Sequence, residues 1–252
     1  MRISLVFLAS AALLATACNA EKGAANNSSS ATEVTAAAVP APNNGDWSTI
    51  VARTPEGGFV MGNPNAKVKL VEFGSLTCPH CAEFEHAGGK ALVDNYVKKG
   101  LVSWEFRNFV RDPYDMTATL LARCGGEASF FGLTRNLFTD QRQWIEKIQA
   151  AQAADPAKAQ ALQTMTPAQQ FSAIADMAGL KQYASMRGVP RAKGEQCLAN
   201  EAEVNKLVQM NTDAGTTYNI PGTPTFLINN EVVDKTATWE LLEPKIKEAL
   251  NS

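Results

Sequence analysis

A buried-type strand that runs directly into a closely spaced cysteine pair sets the frame in which this chain must fold. Val68-Lys69-Leu70-Val71-Glu72-Phe73 is apolar on both faces apart from Lys69 and Glu72, which suits a central strand covered on two sides. After a short connection come Cys78-Pro79-His80-Cys81. Thr77 is expected as a helix N-cap, and Pro79 falls in the first turn, where its missing N–H costs little. The helix is expected to run on through Phe84, Ala87, Ala91, Leu92 and Tyr96. Gly88-Gly89 should weaken it and mark a kink, and Lys98-Lys99-Gly100 should close it.

Around this unit the pattern predicts a layered α/β fold. Gly58 to Met61 reads as a short edge strand, and Val102 to Val110, with Trp104, Phe106 and Phe109, as the next strand. A mainly helical stretch then runs from Tyr114 to about Asp213, an insert at about 113–213. Within it, Met116, Leu120 and Cys124 share an apolar stripe, Thr166-Pro167 opens a helix, and Pro190 to Met210 carries Cys197, Val204, Leu207 and Val208 at helical spacing. Thr225 to Ile228, the turn Asn229-Asn230, and Glu231 to Val233 predict a hairpin. A last helix is expected from about Thr238 to Leu250. The order is β-β-α-β, a helical insert, then β-β-α.

The N-terminus reads differently. Arg2, the apolar run Ile3 to Leu14 and the small residues Ala15-Thr16-Ala17 resemble an export signal over residues 1–17. No later segment approaches the roughly 20 apolar residues of a spanning helix. Residues 19–46 carry almost no large apolar side chains, so they are expected to form a disordered tether, with folding from Trp47 to the end (47–252). Net charge is −2, with no basic or acidic block, so nothing points to nucleic acid.

Five cysteines are present: Cys18, Cys78, Cys81, Cys124 and Cys197. Export would place them where disulfides persist. With Cys18 set aside, the close spacing pairs Cys78 with Cys81 and leaves Cys124 with Cys197. The latter pair reads as a structural disulfide, with a second redox pair or two unpaired buried cysteines as alternatives. Cys18 reads as a lipidated mature N-terminus of a lipoprotein, or as a residue beside a simple A-x-A cleavage site. Zinc would need further ligands, and His80 and His86 are the only histidines, so no metal is expected.

A dithiol at a helix start has a defined chemistry. Free N–H groups and the positive dipole end stabilise a thiolate. Cys78 is therefore expected to be the exposed attacking sulfur and Cys81, one turn in, the resolving one. His80 is expected to donate to the Cys78 thiolate or favour it electrostatically; the alternative is an exposed histidine without a role.

The run Val71-Glu72-Phe73-Gly74-Ser75-Leu76-Thr77-Cys78-Pro79-His80-Cys81 resembles the active-site segment of the DsbA family. Gly222-Thr223-Pro224-Thr225-Phe226 resembles that family's cis-proline loop, and the similarity covers roughly residues 60–250. The resemblance implies a thioredoxin-like fold with an inserted helical domain, and a cis Thr223–Pro224 bond facing the dithiol, where a substrate strand could pair with the Thr223 backbone. It implies that Glu72 is a buried acid beneath Cys81, able to relay a proton; the alternative is a strand glutamate facing solvent or paired with a lysine. It further implies a periplasmic thiol:disulfide oxidoreductase that needs no cofactor beyond its Cys78–Cys81 disulfide. Such a protein would act as a monomer on reduced exported proteins and be reoxidised by a membrane partner of DsbB type. Thr223 before the proline also occurs in isomerase-type relatives, so isomerase or reductase is the alternative direction. A non-catalytic peptide- or metal-binding lipoprotein is the alternative from another class.

Overall fold

A computed structural model describes residues 36–42 and 45–252. The expected signal at 1–17, Cys18 and most of the expected tether lie outside the described residues. Six strands form one mixed sheet in the order β1-β2-β4-β3-β5-β6: β1 (Val51–Arg53), β2 (Phe59–Met61), β3 (Val68–Gly74), β4 (Val102–Asn108), β5 (Thr225–Ile228) and β6 (Glu231–Val232). β3 sits centrally, parallel to β4 and antiparallel to β5, as its two-sided apolar pattern requires. β2 is not an edge strand: it pairs with both β1 and β4. The edge is β1, whose three residues are too short and too exposed to announce a strand in the sequence.

Alternation divides β3 between two layers. Val68, Leu70 and Glu72 face one side, together with Trp104 and Phe106 of β4 and Phe226 of β5; Val71, Phe73 and Leu227 face the other. The first side is covered by the helix that follows the cysteines. It begins as α1 (Pro79–Phe84), passes through a wider π turn at Glu85–Gly89, continues as α2 (Lys90–Leu92), and ends in a second π turn at Val93–Val97. The expected interruption at Gly88-Gly89 is therefore a π turn, with a packing reason. A Cβ on Gly88 would lie 2.5 Å from the Trp239 ring, and one on Gly89 would overlap the Glu85 carboxyl group. Gly100 follows with φ +70°, the left-handed geometry that glycine adopts without strain.

The insert comprises α3 (Pro113–Cys124), α4 (Phe130–Thr139), α5 (Gln141–Ala154), α6 (Pro156–Ala161), α7 (Pro167–Ala178), α8 (Leu180–Ser185), α9 (Arg191–Leu198) and the start of α10 (Glu201–Tyr218). Thr166 forms a capping box with Gln169 ahead of Pro167. The single helical stretch expected from Pro190 to Met210 is broken, because Asn200 leaves the helix and caps α10 through Glu203 N–H. α10 covers the second face of the sheet with Ala214 and Tyr218, beside Ile220. The closing helix, α11 (Trp239–Asn251), returns to the first face through Trp239, Leu242 and Ile246. Asn229 and Asn230 take φ +50° and +75° in the hairpin turn, as a two-residue primed turn demands.

Residues 36–42, expected as the end of a tether, lie against the body. Val39 N–H donates to Lys99 O at 2.8 Å, and the Trp47 indole donates to Val39 O at 2.9 Å. A short hydrogen-bonded strap of this kind has no apolar periodicity and so leaves little trace in sequence.

Candidate active site

The site is assembled where β3 ends. Ser75, Leu76 and Thr77 turn the chain out of the sheet, and Cys78 becomes the N-cap residue of α1 in an extended conformation, with Pro79 at the first helical position. Thr77, expected as the cap, does not act as one. Its hydroxyl donates instead to Asp112 Oδ2 at 2.8 Å, so the turn is held from outside rather than by its own helix.

The two thiols sit in opposed environments. Cys78 is held down to about 4: the Cys81 thiol donates to it, burial opposes, and Thr223 and the backbone N–H groups of Cys81 and His80 add to the lowering. Cys81 is pushed well above the ordinary thiol range by burial, by its hydrogen bond to Cys78 and by the nearby Glu72 and Cys78 charges. One sulfur is prepared to be a thiolate and the other to keep its proton. Cys78 is only 2% exposed, which corrects the expectation of an exposed sulfur. Its side chain lies against the loop at Thr223. Pro79 and His80 form the exposed lip, and His80 acts on Cys78 through its backbone N–H.

Thr223–Pro224 is a cis peptide, as the family resemblance implies. Cys78 Sγ donates to Thr223 O at 3.1 Å. A thiolate cannot make that bond. The Thr223 hydroxyl, buried and without a hydrogen-bond partner among the described residues, is then the donor within reach. This accounts for Thr223 favouring the charged sulfur although the neutral thiol bonds to its carbonyl.

Glu72 is 1% exposed, so it neither faces solvent nor pairs with a lysine. Its Oε2 accepts the Trp104 indole N–H at 3.2 Å, and across the sheet it lies level with Phe106 and Phe226. Burial first, then the Glu85 charge, drive its pKa well up; the Trp104 bond opposes and the Cys78 charge adds. Cys124 and Cys197 are disulfide-bonded. They tie the C-terminus of α3 to α9, and neither thiol remains to complete a metal site with Cys78 and Cys81.

Three further residues hold the site and were not singled out in the sequence. Asp115 on α3 is fully buried. It accepts Ser75 Oγ at 2.6 Å, Leu76 N–H at 2.9 Å and Arg111 N–H at 3.0 Å. Burial raises it to about 7 against those bonds. Asp112 caps α3 and holds Thr77. Gln141, first residue of α5, donates from Nε2 to both Leu76 O and Cys78 O at 2.9 Å. Asp112 before Pro113 carries a readable cap signal; for Asp115 and Gln141 only the tertiary fold brings the partner into view.

The Thioredoxin_4 family model, described as thioredoxin, matches residues 54–248. Among curated proteins, a Rickettsia felis protein named "Putative protein-disulfide oxidoreductase" is 24% identical over 210 residues, covering 80% of this chain and 66% of that protein. A Rickettsia bellii protein of the same name is 30% identical over 93 residues, covering 37% of this chain and 36% of its own length. The chain thus spans less than two thirds of either curated relative. Among solved structures, a protein-disulfide isomerase from Novosphingobium aromaticivorans is 37% identical with a TM-score of 0.70, covering 77% of this chain and 97% of that one. Wolbachia pipientis alpha-DsbA1 shares the fold at 19% identity and a TM-score of 0.60, covering 84% of this chain and 94% of that one. The chain therefore belongs to the Thioredoxin_4 thioredoxin family, its thioredoxin fold interrupted by a helical insert as in DsbA-type structures.

Proposed function

We propose that this chain is a periplasmic thiol:disulfide oxidoreductase that oxidises exported proteins through Cys78 and Cys81. The observation that carries the reading is the opposed pair of thiols: Cys78 held near 4 at a helix start and Cys81 driven up behind it. A client thiolate attacks Cys78 Sγ of the oxidised protein, forming a client–Cys78 disulfide and breaking the Cys78–Cys81 bond. Cys81 leaves with the electron pair and takes up a proton, for which the raised Glu72 carboxyl is the neighbouring source. A second client thiolate then attacks the client sulfur, and Cys78 departs as a stable thiolate. The client loses two electrons and the dithiol gains them. A membrane partner of DsbB type returns the dithiol to the disulfide.

Stabilising one thiolate stabilises the reduced form, which makes the disulfide a strong oxidant. That favours oxidation of clients over reduction. The second reading is an isomerase, favoured by the name of the 37% identical Novosphingobium protein and by Thr223. Thr223 and Pro224 are assigned to client binding, Pro79 and His80 to the helix start that holds the thiolate, and the Cys124–Cys197 bond to structure. The protein is proposed to act as a monomer, anchored through lipidated Cys18, without a cofactor.

The test is the equilibrium of Cys78–Cys81 with glutathione, beside two client assays: oxidation of a reduced protein and reactivation of a scrambled one. An oxidising potential with fast oxidation and slow unscrambling is expected. A reducing, thioredoxin-like potential would sink the oxidase reading, and faster unscrambling would select the isomerase. The Cys78→Ser variant should lose both activities.

A further inference from the structure

The turn into Cys78 is held at several of its backbone groups, and much of the gripping comes from the insert. Leu76 N–H is taken by Asp115 on α3; Leu76 O and Cys78 O are both taken by Gln141 on α5. Cys78 N–H closes the turn onto Ser75 O at 3.1 Å, and Ala82 N–H reaches Cys78 O at a longer 3.3 Å. The amide of Gln141 is buried, and its two N–H bonds diverge, one to each carbonyl on either side of Thr77. Such a fork fixes two peptide planes together. Those planes determine where the Cys78 side chain leaves the chain relative to the N–H groups of His80 and Cys81.

We propose that Gln141 is a positioning residue for the reactive sulfur: by clasping the Leu76 and Cys78 carbonyls, the helical insert sets the thiolate character of Cys78. Two effects act in one direction. The clasp holds Sγ against the α1 N–H groups, and it turns the positive end of the Gln141 amide toward two carbonyl oxygens. Leu76 O has no other donor among the described residues and Cys78 O has only the longer Ala82 N–H bond, so less of their negative charge opposes the thiolate. The insert then contributes to the chemistry and not only to coverage of the sheet. Asp115 braces the other side of the same turn; of these two insert side chains, Gln141 is the one bonded to the cysteine's own carbonyl. The inference rests on Cys78 being the attacking sulfur.

The test titrates the ultraviolet thiolate absorbance of the reduced full chain in the parent, Gln141→Leu and Gln141→Glu. Losing the donors should raise the Cys78 pKa by about half a unit or more, roughly a threefold fall in the thiolate-to-thiol ratio at a given pH. Gln141→Glu keeps the shape but adds negative charge, so it should raise the pKa further, and it guards against a Leu variant that does not fold. Single-turnover attack on a disulfide peptide should slow in the same order. Ile148→Ala, a core change on α5 away from the carbonyls, should lower the unfolding midpoint yet leave the titration in place. Titrations of both Gln141 variants that coincide with the parent, or a shift as large in Ile148→Ala, would overturn the proposal. The underlying reading fails separately: the low-pH thiolate step would then survive in Cys78→Ser.

Discussion

A reduced protein with Cys78 as thiolate and Cys81 as thiol holds one proton where an ordinary dithiol holds two. Cys78 is held to about 4 and Cys81 lies well above the usual thiol value. Between those limits, two-electron reduction takes up one proton, so the potential should fall by about 30 mV per pH unit, half the ~59 mV of a two-proton couple. Glutathione, protonated below its own thiol pKa, follows the steeper line. The equilibrium constant for reduction of the Cys78–Cys81 disulfide by two glutathiones should therefore rise about tenfold per pH unit from roughly pH 5 to 8. It should flatten as the pH approaches about 4 and Cys78 takes up its proton. The assay equilibrates the protein in glutathione buffers across this range, quenches with acid, and counts alkylated thiols by mass. A constant independent of pH between roughly 5 and 8 would mean that both thiols are protonated in the reduced form and that Cys78 is not a thiolate there.

Glu72→Gln should slow the step in which Cys81 leaves by at least about tenfold near neutral pH, read as slower mixed-disulfide formation with a reduced peptide; an unchanged rate removes Glu72 from the proton path. Replacing both Cys124 and Cys197 by Ala should cost about 4 kcal/mol in the chain-entropy picture, since 73 residues separate them, seen in urea unfolding with an unchanged Cys78–Cys81 potential. Gly88→Ala should destabilise by about 1–3 kcal/mol, because its Cβ would lie 2.5 Å from the Trp239 ring; unfolding of the variant checks this. Asp115 has a folded pKa of about 7, above its unfolded value, so the folded state binds the extra proton. Its contribution is present below the unfolded pKa and is lost as pH rises to about 7. Asp115→Asn should flatten that fall in a pH series of denaturation midpoints.

Strand β3, the helix start at Pro79, the hairpin at Asn229-Asn230 and the cap at Thr166 were legible because each depends on neighbours in sequence. So was the Cys78-Pro79-His80-Cys81 unit, whose spacing alone puts two sulfurs one helical turn apart. Edge strand β1, with three residues and little burial, has no period to read. The strap at Val39 is held by two hydrogen bonds, one given to Lys99 O and one taken from the Trp47 indole, and no local pattern announces it. The π turn at Glu85–Gly89 lies where Trp239 of α11 packs over Gly88, a contact made only when α11 has folded back onto the sheet.

From the residues alone one reads that a dithiol opens a helix after a two-sided strand, that Cys124 and Cys197 are left over with a structural disulfide as the first of three readings, and that an insert separates the dithiol from Thr223 and Pro224. Tertiary structure decided what those groups can do. It buried Cys78 to 2% exposure where an exposed sulfur was expected, and it replaced the expected Thr77 cap with a turn held by Asp112, Asp115 and Gln141. It also closed Glu72 into the sheet against Trp104. The physical reason is common to all three. Burial and the direction of a hydrogen bond depend on which surfaces meet, and residues as far apart as Cys78, Gln141 and Thr223 meet only when the insert and the sheet have closed around them.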